Sequence, residues 1–460
     1  MGKRGEMKKK RNELTGKTIN IILCCLLLCL LPAAESAGLE FNSTRSLTAG
    51  FPGDQPGGPR VAYNSRRNEY LVVYEYHNDI MQGSSQIHAA RLSADGKYIA
   101  NYIISDLPNN CMQPDVDYDP VNDRYLVVWS YDRLGNNGDK DVYGRFVPAT
   151  GPVDNLPGMT IGGFSTWHES YPRLAYGAID QDFFVVFNLE TGGANQPGIA
   201  GFRVPADGSP SWHYMSIHED TYQGPRMHPD IAYNPVRDEF MVVYDNAEDI
   251  YGHIFPGHST YGQFYNITDI GLAMTELPAP ATPLPGIHDF PAISFSPGAN
   301  YYMITWDSNR AAGHGDIYAR YYPGGNTLPA TVYMELLDNS ADHDRNSSVA
   351  CKNDGTGCLA LWIVKHNGAL FTFGREISLK SDATGALISH DTGFYAPLDN
   401  LGPASSWSRY PTVAIAGGRK NFYLGFMGKR SNITNIFGRN TIFTSFSWPM
   451  FLPAIIHGKK

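Results

Sequence analysis

Aromatic and titratable residues gather in a series of loop-like segments: Trp167-His168-Glu169, Arg226-Met227-His228, His288-Asp289, Asp344-Arg345 and Trp407-Ser408-Arg409. Carboxylates, imidazoles and guanidinium groups beside indole rings suit a sugar-like or acidic ligand, because rings stack and polar groups fix orientation. Glu169 and Asp289 are the candidate general acid and base, a chemistry that needs two carboxyls at a set separation. The alternative is that these residues hydrogen-bond loops and waters along a wet channel. Asp132, Asp139 and Asp141, with Asn136 and Asn137 nearby, form a weak candidate calcium site, since calcium takes about six to eight oxygens. Similar acid pairs recur at Asp245/Asp249 and Asp307/Asp316. Asp at strand ends also makes Asx-turns, which is the competing reading. No EF-hand, P-loop, dinucleotide fingerprint, HExxH or GxSxG elbow is present, so no other cofactor is expected.

The elements that carry these segments follow from an internal repeat. PDVDYDPVNDRYLVVW from Pro114 and PDIAYNPVRDEFMVVY from Pro229 share one frame with segments starting at Pro59, Pro172, Pro291, Ser347 and Pro411. The starts are 55, 58, 57, 62, 56 and 64 residues apart. Each unit opens with a short strand such as VAY, then a tight Asn/Asp/Gly/Pro turn. A β-branched and aromatic strand such as YLVVY follows, and then a third such as DVYGRF. A looser fourth strand completes the unit. Seven repeats of four strands predict an all-β fold, a single seven-bladed β-propeller of four-stranded antiparallel blades over 37–447.

These repeats resemble the LVVW…DIYGR repeats of secreted bacterial β-propeller proteins, over nearly all of residues 39–445. The resemblance implies the fold and leaves the function open, because propellers host enzymes, binding modules and scaffolds alike. The last unit has three clear strands, so residues 39–47 (LEFNSTRSL) are expected to supply its fourth and close the ring. Residues 448–460 break the pattern and read as a C-terminal tail. The 1–2 turns are short and alike, whereas the 2–3 and 4–1 loops vary. Variable loops on one face of a rigid frame are where function sits. The residues after the repeated proline, Arg60, Asp115, Arg173 and Asp230, alternate in sign and predict an ion-pair ladder on the innermost strands.

Residues 1–36 read as a signal peptide: seven Lys/Arg precede the apolar run from Ile19 to Leu31, with Ala34-Glu35-Ser36 before the cut. That run is short for a bilayer span, and no later stretch is long and apolar enough for one. Without it the chain carries 29 Lys/Arg against 42 Asp/Glu, a net charge of −13. Such a surface repels phosphate backbones, which argues against nucleic acid. Cys351 and Cys358 bracket the turn KNDGTG and are expected to form a disulfide in an oxidising compartment. The sequence thus points to a secreted or cell-surface binding scaffold for an extracellular glycan or protein. The alternatives are a polysaccharide hydrolase or lyase at the channel mouth, and a structural surface-layer protein.

Overall fold

The computed structural model describes residues 36–41, 45–47, 57–77, 84–105, 107–135, 139–151, 153, 157–164, 167–190, 198–209, 213–217, 227–245, 250–257, 287–309, 315–323, 334–338, 343–355, 357–366, 369–381, 387–391, 399–403, 413–418, 421–430 and 433–446. The chain divides into two compact units. Of the smaller, 1–40 with 443–460, the described residues are strand segments at 36–40 and 443–446. The larger, 41–442, is built from seven antiparallel sheets in chain order.

The first sheet runs Gly57–Asn64, Glu69–Tyr76, Gln86–Ser93, Tyr98–Ile103, each strand bonded to the next. The second (Cys111–Asp119, Arg124–Asp132, Lys140–Pro148, Met159–Gly162) and third (His168–Gly177, Asp182–Glu190, Gly198–Pro205, His213–Ser216) repeat that order. The fourth shows three strands among the described residues, Met227–Asn234, Glu239–Asp245 and Ile250–Pro256. The fifth is Ile287–Ser296, Tyr301–Asn309, Gly315–Pro323 and Met334–Asp338. The sixth begins His343–Cys351, Cys358–His366, Ala369–Ser381. The seventh holds Val413–Gly417, Phe422–Arg430 and Ile433–Phe446, and there Arg45 and Ser46 pair with Gly438 and Phe437.

The core lies between sheets, not within one layer. Leu71, Val127 and Trp129 join the first two sheets, Phe187 and Val128 the next pair, and Trp306 and Met241 the fourth and fifth. Tyr423 of the seventh sheet packs with Tyr70 and Val72 of the first, and Leu47 joins them at 5% exposure. The second strand of each of the first five sheets therefore meets a neighbour on both faces. That explains why YLVVY, FFVVF and FMVVY read as unbroken apolar runs where a one-sided strand would alternate. Their largest side chains, Trp129, Trp306 and Trp362, are buried.

Short 1–2 turns are set by local chemistry. Asn64 Oδ1 accepts the N–H groups of Arg66 and Arg67, and Asn234 Oδ1 those of Val236 and Arg237. A left-handed residue closes the turn in the first five sheets: Asn68, Asp123, Gln181, Asp238 and Asn300. Turns then lock to their neighbours: Arg67 grips Asp123, and Arg66 Nη1 donates to the Pro120 carbonyl at 3.2 Å. The disulfide Cys351–Cys358 (S–S 1.96 Å) ties one such turn at its base. Gly417 lies against the Cys351 carbonyl so closely that no Cβ fits.

The first strands pack side by side in sequence, and that of the seventh sheet lies beside that of the first. Together they line a cavity of about 590 Å³. The alternating charges meet there. Arg60 Nε lies 3.8 Å from Asp115 Oδ1, with their side chains 24% and 13% exposed. Burial, and then Arg173, hold the Arg60 guanidinium down at about 10; Asp230 belongs to the same field.

Two changes test this frame. Deleting 39–47 removes the Arg45–Ser46 pairing and the Leu47 side chain, and should lower the melting temperature by several degrees. Gly417→Ala should cost about 2 kcal/mol or more in denaturant unfolding, because the obstacle is backbone.

Candidate functional site

The inner strand of a sheet is an edge, and its N–H groups need partners. Here the preceding sheet supplies them. Asp115 Oδ2 accepts the N–H of Leu174 (3.1 Å), Asp117 Oδ2 that of Tyr176 (2.8 Å), and Asp230 Oδ2 that of Ile293 (2.8 Å). Burial pushes the Asp117 and Asp230 carboxyls up to about 6, against the pull of those N–H bonds.

One turn higher, the strand register slips in six sheets at one position, between Gly57/Arg60, Met112/Asp115, Ser170/Arg173, Met227/Asp230, Asp289/Ala292 and Arg345/Ser348. A bulge residue there takes a left-handed conformation: Gly58, Gln113, Tyr171, His228, Phe290 and Asn346, with φ between 51° and 55°. For a non-glycine that costs about 1 kcal/mol or more, so something must hold it. Glu75 Oε1 accepts the Gln113 N–H at 2.6 Å, and Gln113 Oε1 accepts the Tyr171 N–H at 3.0 Å. Asp245 Oδ2 accepts that of Phe290 at 3.2 Å, and Asp307 Oδ2 that of Asn346 at 2.6 Å. Bulges re-aim side chains, and Tyr171, His228, Phe290 and Asn346 all line the cavity.

His228 is the chemical centre of this ring. Its Nδ1 lies 2.7 Å from Asp245 Oδ2, which places a proton on Nδ1 and leaves Nε2 as the basic nitrogen. Phe290 lies against the imidazole at 4.0 Å between centroids, tilted by 32°, and Tyr171 meets it edge-on at 5.4 Å. Asp289 is partly exposed beside them. Burial, and then the Asp245 charge, raise its carboxyl above the ordinary range, while His228 and Arg345 pull it back. Asp307, buried beneath, is raised by burial and by Asp289. His228, Asp289 and Arg345 thus come together, with Asp245 and Asp307 added. His288 and Asp344 are buried and Arg345 is exposed.

Trp167, His168 and Glu169 belong to a different neighbourhood. Trp167 packs on Phe164 at 5.0 Å. Glu169 is fully buried, and the Phe164 backbone is the hydrogen-bonding group beside its carboxylate. Burial, then Asp141, push its carboxyl up to about 8. Its charged neighbours are Asp141 and Asp139, whereas those of Asp289 are Asp245, His228 and Arg345. The two acids share none. Arg133 stands among the calcium candidates, paired with Asp139 and 3.5 Å from Asp141. Asp132 is buried. Among the described residues no three His, Cys, Asp or Glu side chains are arranged to hold a metal ion. Arg226, Trp407 and Arg409 lie outside the described residues.

Choosing residues by type overlooked Tyr171 and Phe290, whose place before the repeated proline was the available signal. Asp245 and Asp307 were visible only as strand-end acids.

Glu169 gives a pH signature. The folded state holds its proton up to about 8, the unfolded chain only to its ordinary value of 4.5. The folded state binds more protons between those limits, so stability falls as pH rises through that window. Glu169→Gln should flatten this decline; melting temperatures from pH 5 to about 8 check it.

No family model matches the chain, and no curated protein does. Among solved structures it is similar to polysaccharide lyase Uly1, at 11% identity over 85% of this chain and 90% of that one, with a TM-score of 0.50. It also aligns with Penicillium chrysogenum alpha-L-arabinanase complexed with arabinobiose (10% identity, 88% and 98% covered, TM-score 0.48). A third is Hadza microbial sialidase Hz136 (12% identity, 66% covered, TM-score 0.44), of which the chain spans 63%. At these identities the likeness shows an all-β architecture of antiparallel sheets.

Proposed function

We propose that the chain is an exported glycan hydrolase, working at the channel mouth of a closed seven-bladed β-propeller. The observation that carries the reading is the His228–Asp245 pair opening on the cavity beside the raised carboxyl of Asp289. Ring closure is supported by the seventh sheet's packing against the first and by the Arg45–Ser46 pairing. Export is supported by residues 1–36 and by the Cys351–Cys358 disulfide. Among the described residues no helix is long and apolar enough to cross a membrane.

In this reading Asp289 gives its proton to the glycosidic oxygen as the C–O bond breaks. Water adds its oxygen to the anomeric carbon, and its proton passes to His228, with Asp245 steadying the imidazolium. Solvent then takes the proton from His228 and returns one to Asp289. Tyr171 and Phe290 offer ring faces for a sugar. The fold likeness leaves elimination open, and electrostatics argues against it. A lyase needs a uronate, and the partly exposed Asp289, with Asp245 buried among its neighbours, disfavours an anionic sugar beside His228. A binding module is the second reading, favoured by the Tyr171–His228–Phe290 stack, which could hold a sugar without chemistry.

Incubation of the exported chain with neutral and acidic polysaccharides tests this. New reducing ends are expected from a neutral glycan, falling by about 10²-fold or more in His228→Ala and Asp289→Asn. Unsaturated ends from an acidic glycan would instead mean a lyase. Retention on insoluble glycan without products, lost in Tyr171→Ala, would mean a binding module.

A further inference from the structure

The first sheet ends on its outer side with Tyr98–Ile103, and among the described residues no further strand pairs with it. Ile104 N–H bonds inward to the Ile87 carbonyl at 2.7 Å, and Ala89 and Arg91 stand opposite Tyr102 and Ala100. Bonding direction alternates along an antiparallel strand, so Ala100 and Tyr102 bond inward while Asn101 and Ile103 turn both backbone groups outward. Natural sheet edges are blunted by charge, proline, shortness or cover. The outer strands of the second and third sheets are short, at 4 residues each. YIANYI is longer, with 6 residues, and holds no charged residue and no proline. Lys97 and Asp95, just before it, are paired with each other at 2.6 Å. Tyr98 is 57% exposed, Ile99 40% and Ile103 55%. A register slip leaves Ile99 without a partner on the third strand, and the bend it causes falls at the strand's start.

We propose that this strand is a self-association surface: the Tyr98–Ile103 strands of two copies pair antiparallel about a two-fold axis, Asn101 of each facing Ile103 of the other. In that register both residues donate their outward N–H and accept at their outward carbonyl, so neither keeps an unpaired backbone group. Tyr102 then stands opposite Tyr102 of the second copy, in the closer, non-hydrogen-bonded relation where aromatic side chains meet. A second copy is the occupant that fits, because the pairing is reciprocal and an uncharged strand faces itself without like-charge repulsion. The Ile99 bulge confines the ladder to the later half of the strand, which sets a dissociation constant on the order of 10 µM. The strand lies at the opposite edge of its sheet from Gly57–Asn64, which lines the cavity. Association therefore leaves the channel mouth free and does not depend on the hydrolase reading.

Light scattering of the exported chain from about 1 to about 200 µM tests this, with amide hydrogen exchange beside it. The mass should rise from one chain toward two, and exchange at Asn101 and Ile103 should slow as concentration rises. A one-chain mass throughout overturns the proposal. So does a dimer whose Asn101 and Ile103 amides exchange as fast as in the dilute chain, since another surface then holds it. Ile103→Lys brings two cations to the axis and should weaken the dimer by about 10-fold or more. Asn101→Pro removes an outward N–H, keeps the inward bonds of Ala100 and Tyr102, and should act in the same direction. Both positions are exposed, so the dilute variants should melt as the original chain does. Variants that melt normally and still dimerise with unchanged strength overturn the strand pairing.

Discussion

Each sheet in this protein turns an unpaired strand edge toward the central cavity, and the N–H groups along that edge must find acceptors. The preceding sheet provides them from carboxylate and amide side chains: Asp115 for Leu174, Asp230 for Ile293, Gln113 for Tyr171, Asp307 for Asn346. Much else follows. These bonds run from one sheet to the next, so they set the order and height of the sheets as well as satisfying the edge. Apolar faces between sheets supply most of the driving force, yet Val and Phe faces alone would tolerate a slip. A carboxylate aimed at one N–H does not.

The same bonds build the site. Holding a backbone N–H at the bulge stabilises a left-handed residue, and the bulge turns that residue toward the cavity. Tyr171, His228 and Phe290 are presented by a structural device repeated around the molecule, with no loop built for the purpose. Asp245 shows the economy of the arrangement: one oxygen accepts the Phe290 N–H and also holds His228 Nδ1. The acids that join the sheets are buried beside one another, and their raised carboxyls are the electrostatic consequence. The raised carboxyls of Asp289 and Asp307 are thus a by-product of how the sheets are joined.

The architecture was legible because its signals are long and periodic. A repeat of nearly constant length, unbroken apolar second strands and Asn/Asp turns each have one economical explanation. The alternation of Arg60, Asp115, Arg173 and Asp230 was legible too, since the repeat frame places those residues at one height. The site was harder. A residue before proline reads as extended backbone, so Tyr171, His228 and Phe290 carried no mark of a bulge. Asp245 and Asp307 looked like local turn acids, but their partners lie 39 to 45 residues onward in the next sheet. Glu169 was singled out for its type beside Trp167 and lies buried among other carboxyls, away from the groups around His228. Spacing along one chain cannot tell an acid that faces a cavity from one sealed beneath it.

Pairing of Arg45 and Ser46 with Gly438 and Phe437 joins opposite ends of the chain. Loop-closure entropy makes that contact slow to form. A chain made from its N-terminus onward presents those residues long before their partners arrive. Its first sheet would wait with Tyr70 and Val72 uncovered until the seventh is delivered. Completion of the fold is therefore tied to delivery of the seventh sheet, and the waiting intermediate, with one apolar face uncovered, is the species most prone to associate wrongly.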